Sequence, residues 1–266
     1  MPADLPYSTQ LGPVTLAVAD LERSLAFYRD LAGLLVLEHD GSHATLGVSD
    51  TEVIHLVEEP AARPAPNRAT GLYHTAILYP DRAALARVVQ HIGLQQYPFT
   101  GASDHLVSEA FYLDDPDGLG VELYRDRPRA EWKWSGKTIE MATLPLDVPG
   151  LLAVADRAFD GAPAGTRIGH VHLKVGDIAQ AEAFYGDVLG FDVTARFGDS
   201  ATFLAAGGYH HHIGANVWES RGAGPAPAGH VGLREIVIEA PDTDARELVD
   251  PWGLRVVVRP PTARPS

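Results

Sequence analysis

Short runs that alternate or stay apolar recur along the chain, and several are followed by a stretch with helical spacing. VTLAV (residues 14–18) and VHLKV (171–175) have the pattern of strands with at least one buried face. Behind them stand Asp20 and Asp177, placed as N-caps whose carboxylates can accept from the first free backbone N–H groups of a helix. Leu21, Leu25 and Tyr28 then mark the apolar face of one short helix, and Ile178, Phe184 and Tyr185 that of another. Gly33 and Gly190 lie where these helices should end. Further short strands are predicted at HATLGV, EVIHLVE, SEAFYLDD, GVELYR, ATFLAAG and HHIGANVW. The unit is a strand, a helix and about three strands, written βαβββ.

The unit repeats. Residues 11–37 align with residues 168–194 at a constant offset of 157, which maps Pro13 onto His170, Asp20 onto Asp177, Tyr28 onto Tyr185 and Gly33 onto Gly190. Segments from Gly71 and Gly232 open in the same way, so there are four modules. In each, an Asp follows seven residues after one strand position: Pro13–Asp20, His74–Asp81, His170–Asp177 and Glu235–Asp242. DDPDG with Gly118 in module two matches VDPWG with Gly253 in module four. Asp81 to Asp115 spans 34 residues, however, and Asp242 to Asp250 only 8, so module four is abridged by about a helix and a strand pair. The Asp115–Gly118 run is a turn that launches the following strand. The expected fold class is α+β: four βαβββ modules, the fourth abridged, paired into two open barrel-like domains. Residues 1–128 hold modules one and two, 129–166 a connector in which LLAVADRAF forms a packing helix, and 167–266 modules three and four. The tail RPPTARPS is expected to fray.

Composition narrows the chemistry. No stretch approaches the roughly 20 apolar residues of a spanning helix, and MPADLPYSTQ lacks the regions of a signal peptide, so a soluble, cytoplasmic protein with no membrane partner is expected. With no Cys there is no disulfide, no thiolate nucleophile and no thiolate-bound metal; any metal must sit on His and carboxylates. A formal charge of -14 disfavours nucleic acid as a partner.

Paired βαβββ modules with His on a first strand and Glu on a last strand resemble the vicinal oxygen chelate superfamily of glyoxalases, bleomycin-resistance proteins and extradiol dioxygenases. More specifically, GASDHLVSEAFYLDDPDGLGVELYRDRP and GGYHHHIGANVW resemble the bacterial catechol 2,3-dioxygenase group. His105, Phe111-Tyr112, Asp115-Pro116, Gly118 and Glu122 follow that group's signature, with Ser103 as a departure two residues before the His. The resemblance implies a metal held by His74, His170 and Glu122. Two imidazoles and one carboxylate on one face leave three adjacent positions open, the set associated with non-haem Fe(II), with Mn(II) as the alternative. Fe(II) with one carboxylate carries +1, which a catecholate monoanion brings to neutrality. The implied substrates are a catechol or hydroquinone-like diphenol and O2. His105 and Tyr112 would donate to a substrate or superoxide oxygen, and His211 would be the acid/base.

Several alternatives stay open. His172 shares a strand face with His170 and could replace it, and a slip of one residue would move the acid/base to His210 or His212. The HHH tract could also be an exposed metal-binding patch, and His55, His43 and His91 read as ordinary hydrogen-bonded histidines. Modules two and three should carry the metal. Modules one and four lack a working set, because Pro13 and Val257 stand where His and Glu would be. Whether the barrels pair within or across the halves of the chain is open, as is assembly into a homo-oligomer. Two other functions compete: a glyoxalase-like isomerase or lyase, for which His212 could supply a fourth ligand, and a metal-free binding protein of the bleomycin-resistance type.

Overall fold

The structure is a computed structural model that describes residues 5–262, so the end of the tail RPPTARPS, from residue 263 on, lies outside the described residues. Module one comprises β1 (Gln10–Val18), α1 (Leu21–Ala26), β2 (Leu35–Asp40), β3 (His43–Val48) and β4 (Thr51–Glu58). Module two comprises β5 (Gly71–Leu78), α2 (Arg82–Leu94), β6 (Gly101–Asp104), β7 (Ser108–Asp114) and β8 (Gly120–Asp126). The connector holds the two-residue strands β9 (Trp134–Ser135) and β10 (Thr138–Ile139) and the short helix α3 (Val148–Leu152). LLAVADRAF is therefore helical only over its first two residues, and the rest is one turn followed by irregular chain. Module three has β11 (Arg167–Lys174), α4 (Ile178–Ala181), β12 (Asp192–Phe197), β13 (Ala201–Ala205) and β14 (Ile213–Asn216). Module four keeps only β15 (Gly232–Glu239), β16 (Arg246–Val249) and β17 (Arg255–Arg259), with no helix after its first strand.

The caps act as the sequence suggests. Asp20 accepts from the Arg23 amide at 3.0 Å, Asp81 from Ala84 at 2.7 Å and Asp177 from Gln180 at 2.8 Å. After α1 and α4 the helices widen, so that Ala32 N–H donates to the Phe27 carbonyl at 3.2 Å and Leu189 N–H to Phe184 at 3.0 Å, five residues back. The spacing alone does not announce this widening. It lies where the aromatic pairs Phe27-Tyr28 and Phe184-Tyr185 turn into the core.

The sheets cross the halves of the chain. One has seven strands in the order β16-β17-β15-β1-β4-β3-β2 and combines modules four and one; the other has eight, β12-β13-β14-β11-β5-β8-β7-β6, and combines modules three and two. Each is sealed by an antiparallel pairing of two first strands, β1 with β15 and β5 with β11. Strand alternation then sorts the side chains. Ile77, Val121, Leu123, Val171 and Leu173 enter the main core with α1, α2 and the seven-stranded sheet, while the opposite face of the eight-stranded sheet curls around a cavity. No helix among the described residues is long and apolar enough to cross a membrane.

The repeat also survives as a matched pair of buried turns. Asp115 accepts from the Asp117 and Leu119 amides and from the Tyr28 hydroxyl at 3.1 Å; Asp250 accepts from Trp252, Leu254 and the Tyr185 hydroxyl at 2.9 Å. Each tyrosine thus ties the helix of one module to the closing turn of the next. Tyr28→Phe and Tyr185→Phe should each lower stability by about 1–2 kcal/mol, since a buried carboxylate loses one donor. Urea midpoints of the two variants check this, and unchanged midpoints would show that the backbone amides alone hold these turns.

Candidate metal centre and its cavity

Ala76 stands at the middle of the site. On one side it pairs with Glu122 of β8, and on the other with His170 of β11; His74 lies two residues earlier on the same face of β5. Three polar side chains therefore converge around a residue no larger than a methyl group. Gly120 lets β8 begin this close, because a Cβ there would meet the Tyr73 carbonyl at 2.2 Å. Gly169 likewise leaves room for the Tyr124 hydroxyl beside a bulge in β11.

The donor atoms form a small triangle. His74 Nε2 to Glu122 Oε2 is 2.9 Å, His170 Nε2 to the same oxygen 3.1 Å, and the two Nε2 atoms are 3.4 Å apart. Ligands about 2.1 Å from one octahedral ion lie about 3.0 Å apart when adjacent and about 4.2 Å when opposite. All three separations match adjacent positions, so the group fits a metal on one triangular face and leaves the other face toward the cavity. It is the one such His and carboxylate group among the described residues, and all three members are buried.

Electrostatics agrees with the geometry. Burial alone would raise the Glu122 carboxyl, but the electrostatic pull of, and hydrogen bonds from, the His170 and His74 rings prevail and hold it well below the usual carboxylate range. Burial pushes His170 down to about 4 against the upward pull of Glu122, leaving a neutral imidazole able to ligate. His170 Nδ1 has no hydrogen-bond partner, so packing sets the ring's orientation, with Tyr124 at 4.8 Å and His211 at 4.1 Å between centroids.

His172 pairs with His74 across the strands and also faces the cavity, yet its Nε2 is engaged. The Trp218 amide donates to Asn216 Oδ1 at 3.2 Å, which fixes the side-chain amide so that its Nδ2 donates to His172 Nε2 at 3.1 Å. Burial, then the neighbouring His74 and His170, pushes His172 well below its ordinary value.

The strands β7 and β8 pair without a register break from Ser108↔Asp126 to Asp114↔Gly120, which sets Tyr112 directly opposite Glu122. The Tyr112 hydroxyl is 2.7 Å from His105 Nε2, and His105 Nδ1 is 2.7 Å from the Ala142 carbonyl. A carbonyl only accepts, so Nδ1 carries the His105 proton and Tyr112 donates to Nε2. Burial, then the Glu122 charge, raises the Tyr112 hydroxyl well above its usual value. Behind the same sheet, Glu109 is bound by Arg82 at 2.8 Å and Arg125 at 2.7 Å, which ties β7 to β8 and α2.

The HHH tract is not an extended strand; β14 begins only at Ile213. All three histidines are buried, so the tract is not an exposed patch. His211 lines the cavity, while His210 is fully buried behind it against Asp126. His212 turns away, its Nδ1 accepting from the Ala206 amide at 3.3 Å and its ring packed near Phe191 and Tyr209. Burial pushes His211 well below its ordinary value and His212 down to about 3.

In the seven-stranded sheet no equivalent group forms among the described residues. Glu235 is paired with Arg255, which also binds Glu247 at 2.7 Å, while His55 bonds Glu52 at 3.1 Å. Val257 pairs with Val237 in the register that Glu122 and Ala76 occupy in the other sheet. Sequence reasoning missed Asn216, Asp126, Tyr209 and the Ala142 carbonyl. Asp126 could have been found, since it lies four residues after Glu122 on the same strand face. Asn216 ends β14, and Tyr209 and the Ala142 carbonyl lie outside the strands; tertiary placement brings all three to the site.

The profile of the Glyoxalase/Bleomycin resistance protein/Dioxygenase superfamily matches residues 10–123 and 167–258. The chain is 44% identical over 250 residues to a catechol-2,3-dioxygenase of Bacillus subtilis (strain 168), covering 91% of this chain and 86% of that one. Among solved structures, glyoxalase I from Zea mays superposes with a TM-score of 0.57 at 17% identity, covering 94% of this chain and 92% of that one. The cppA protein of Streptococcus pneumoniae TIGR4 gives 0.55 at 10% identity, over 94% and 98%. These last two likenesses concern the fold alone.

Glu122→Ala should abolish tight binding of one divalent ion while the protein stays folded, because the only anion of the triangle is lost. Equilibrium dialysis with Fe(II) under anaerobic conditions, beside a circular dichroism spectrum, measures it. Retained stoichiometric binding would place the metal elsewhere.

Proposed function

The chain belongs to the glyoxalase/bleomycin resistance protein/dioxygenase superfamily, and we propose that it is a non-haem Fe(II) extradiol dioxygenase that opens the ring of a catechol with O2. One observation carries the reading: the His74–Glu122–His170 triangle turns its open side to a cavity of about 470 Å³ walled by Tyr73, Phe197, Phe203 and Trp218. The 44% identity to a catechol-2,3-dioxygenase over most of both chains supports it. Once bound, Fe(II) supplies a Lewis acid for the diol and a redox partner for O2.

The side chains do the rest. His74, His170 and Glu122 hold the ion, with Mn(II) as the other ion their donor set suits. His211, neutral and in the cavity wall, takes the proton of a catechol hydroxyl and returns it to the product. Tyr112, held by His105 beside Glu122, can turn its hydroxyl proton toward an oxygen that becomes negative. The aromatic walls exclude water and stack on the ring.

The lining also speaks to the substituent. Among the described residues the cavity wall includes Asp114 and Glu122 but no Lys or Arg, so a substituent carboxylate would be desolvated without a Lys or Arg to pair with. Neutral catechols are the substrates that suit it. The glyoxalase-like reading usually brings a fourth protein ligand, and His212 is turned away onto Ala206 while His172 Nε2 is engaged by Asn216.

After anaerobic Fe(II) reconstitution, catechol and 4-methylcatechol should yield a yellow ring-opened product with O2 uptake, and His74→Ala should abolish both. For 3,4-dihydroxybenzoate, kcat/KM should fall at least about tenfold below 4-methylcatechol, the size of a lost charge-pairing contact. Tight iron binding without turnover of any diphenol would overturn the dioxygenase reading.

A further inference from the structure

Behind the cavity wall runs a chain of hydrogen bonds whose direction can be read from its ends. Asp126 Oδ1 is 2.8 Å from His210 Nε2 and accepts from the Tyr209 hydroxyl at 3.2 Å. Tyr209 in turn is 2.9 Å from the Tyr124 hydroxyl, and Tyr124 packs on His170. A carboxylate can only accept, so His210 carries its proton on Nε2. In the neutral ring Nδ1 is then a bare acceptor, and it lies 2.8 Å from Nδ1 of His211. His211 must therefore donate from Nδ1. Its Nε2, on the ring's other side toward the cavity, is left with a free lone pair.

We infer that Asp126 and His210 are positioning residues that lock His211 in the Nδ1–H tautomer, with an unprotonated Nε2 presented to the cavity. Thr194 pins the middle of the chain by donating to the His210 carbonyl at 2.5 Å. The rings of Tyr209 and Trp132 pack on His210, with centroids 4.1 and 5.3 Å away. The consequence for turnover rests on reading His211 as the proton acceptor, because a ring in the other tautomer would offer an N–H where a lone pair is needed. The tautomer itself is independent of that reading.

The test is the tautomer. In Zn(II)-loaded protein with 15N-labelled histidine, long-range 15N–1H correlation at mildly alkaline pH should show His211 protonated on Nδ1 and His210 on Nε2, the signals being assigned with His210→Gln and His211→Asn. In Asp126→Asn the amide can donate to His210 Nε2 and reverse the chain, so His211 should move toward the Nε2–H form. Turnover of catechol by the Fe(II) form of that variant should lose about 10- to 100-fold in kcat with KM within about twofold. Asp126→Glu, which keeps an acceptor, should restore part of the loss. A purely structural Asp126 would instead shift the melting temperature and KM while leaving the His211 tautomer unchanged, and that result overturns the inference. So does a wild-type His211 protonated on Nε2. A wild type without catechol turnover would sink the proposed activity, and the spectra would still decide the tautomer.

Discussion

The antiparallel seam between β5 and β11 is the constraint on which the site depends. It joins a strand from each half of the chain and sets His170 across from Ala76 and His172 across from His74. The parallel pairing of β5 with β8 then brings Glu122 to the other side of Ala76. A slip of one residue along either pairing would turn the imidazoles or the carboxylate into the apolar core. The core on the far face, built from residues such as Ile77, Leu123 and Val171, is therefore what holds the register of the polar face. Two buried imidazoles and a buried carboxylate would be costly apart; together they satisfy one another in a shape that suits an ion.

Around the triangle, a backbone carbonyl, a side-chain amide and a carboxylate settle where protons sit. Ala142 fixes His105, Asn216 fixes His172, and Asp126 fixes His210. Each anchor can play only one role as it is oriented, so each neighbouring imidazole is left with a defined pattern of donor and acceptor. His172 and His170 look interchangeable along β11, yet one has its Nε2 occupied by an amide proton while the other points its Nε2 at Glu122.

The two sheets show one architecture put to two uses. Turns at Asp115 and Asp250 keep the same bonds and an equivalent tyrosine partner, because both close a module against the helix of the module before it. At the positions that match His170, His74 and Glu122 the seven-stranded sheet has Pro13, Glu235 and Val257. There Arg255 neutralises Glu235, and the sheet serves as a structural counterpart to the eight-stranded one.

Much of this was legible in the sequence. The fourfold repeat, the Asp caps and the strand alternation are local, and local rules of backbone geometry and burial determine them. His74, Glu122, His105 and Tyr112 could be singled out because they lie within one module whose residues resemble a known signature, while the pairing of β7 with β8 is what sets Tyr112 opposite Glu122. The crossing of the sheets between halves could not be read, since module pairing is decided by which edges meet in space. The same holds for the orientation of the HHH tract: only the fold puts Asp126 behind His210, Ala206 before His212 and the cavity in front of His211. Spacing along a chain names the side chains that can share a face. Which of their nitrogens carries a proton, and which is left bare, depends on partners that only the tertiary structure brings within hydrogen-bonding distance.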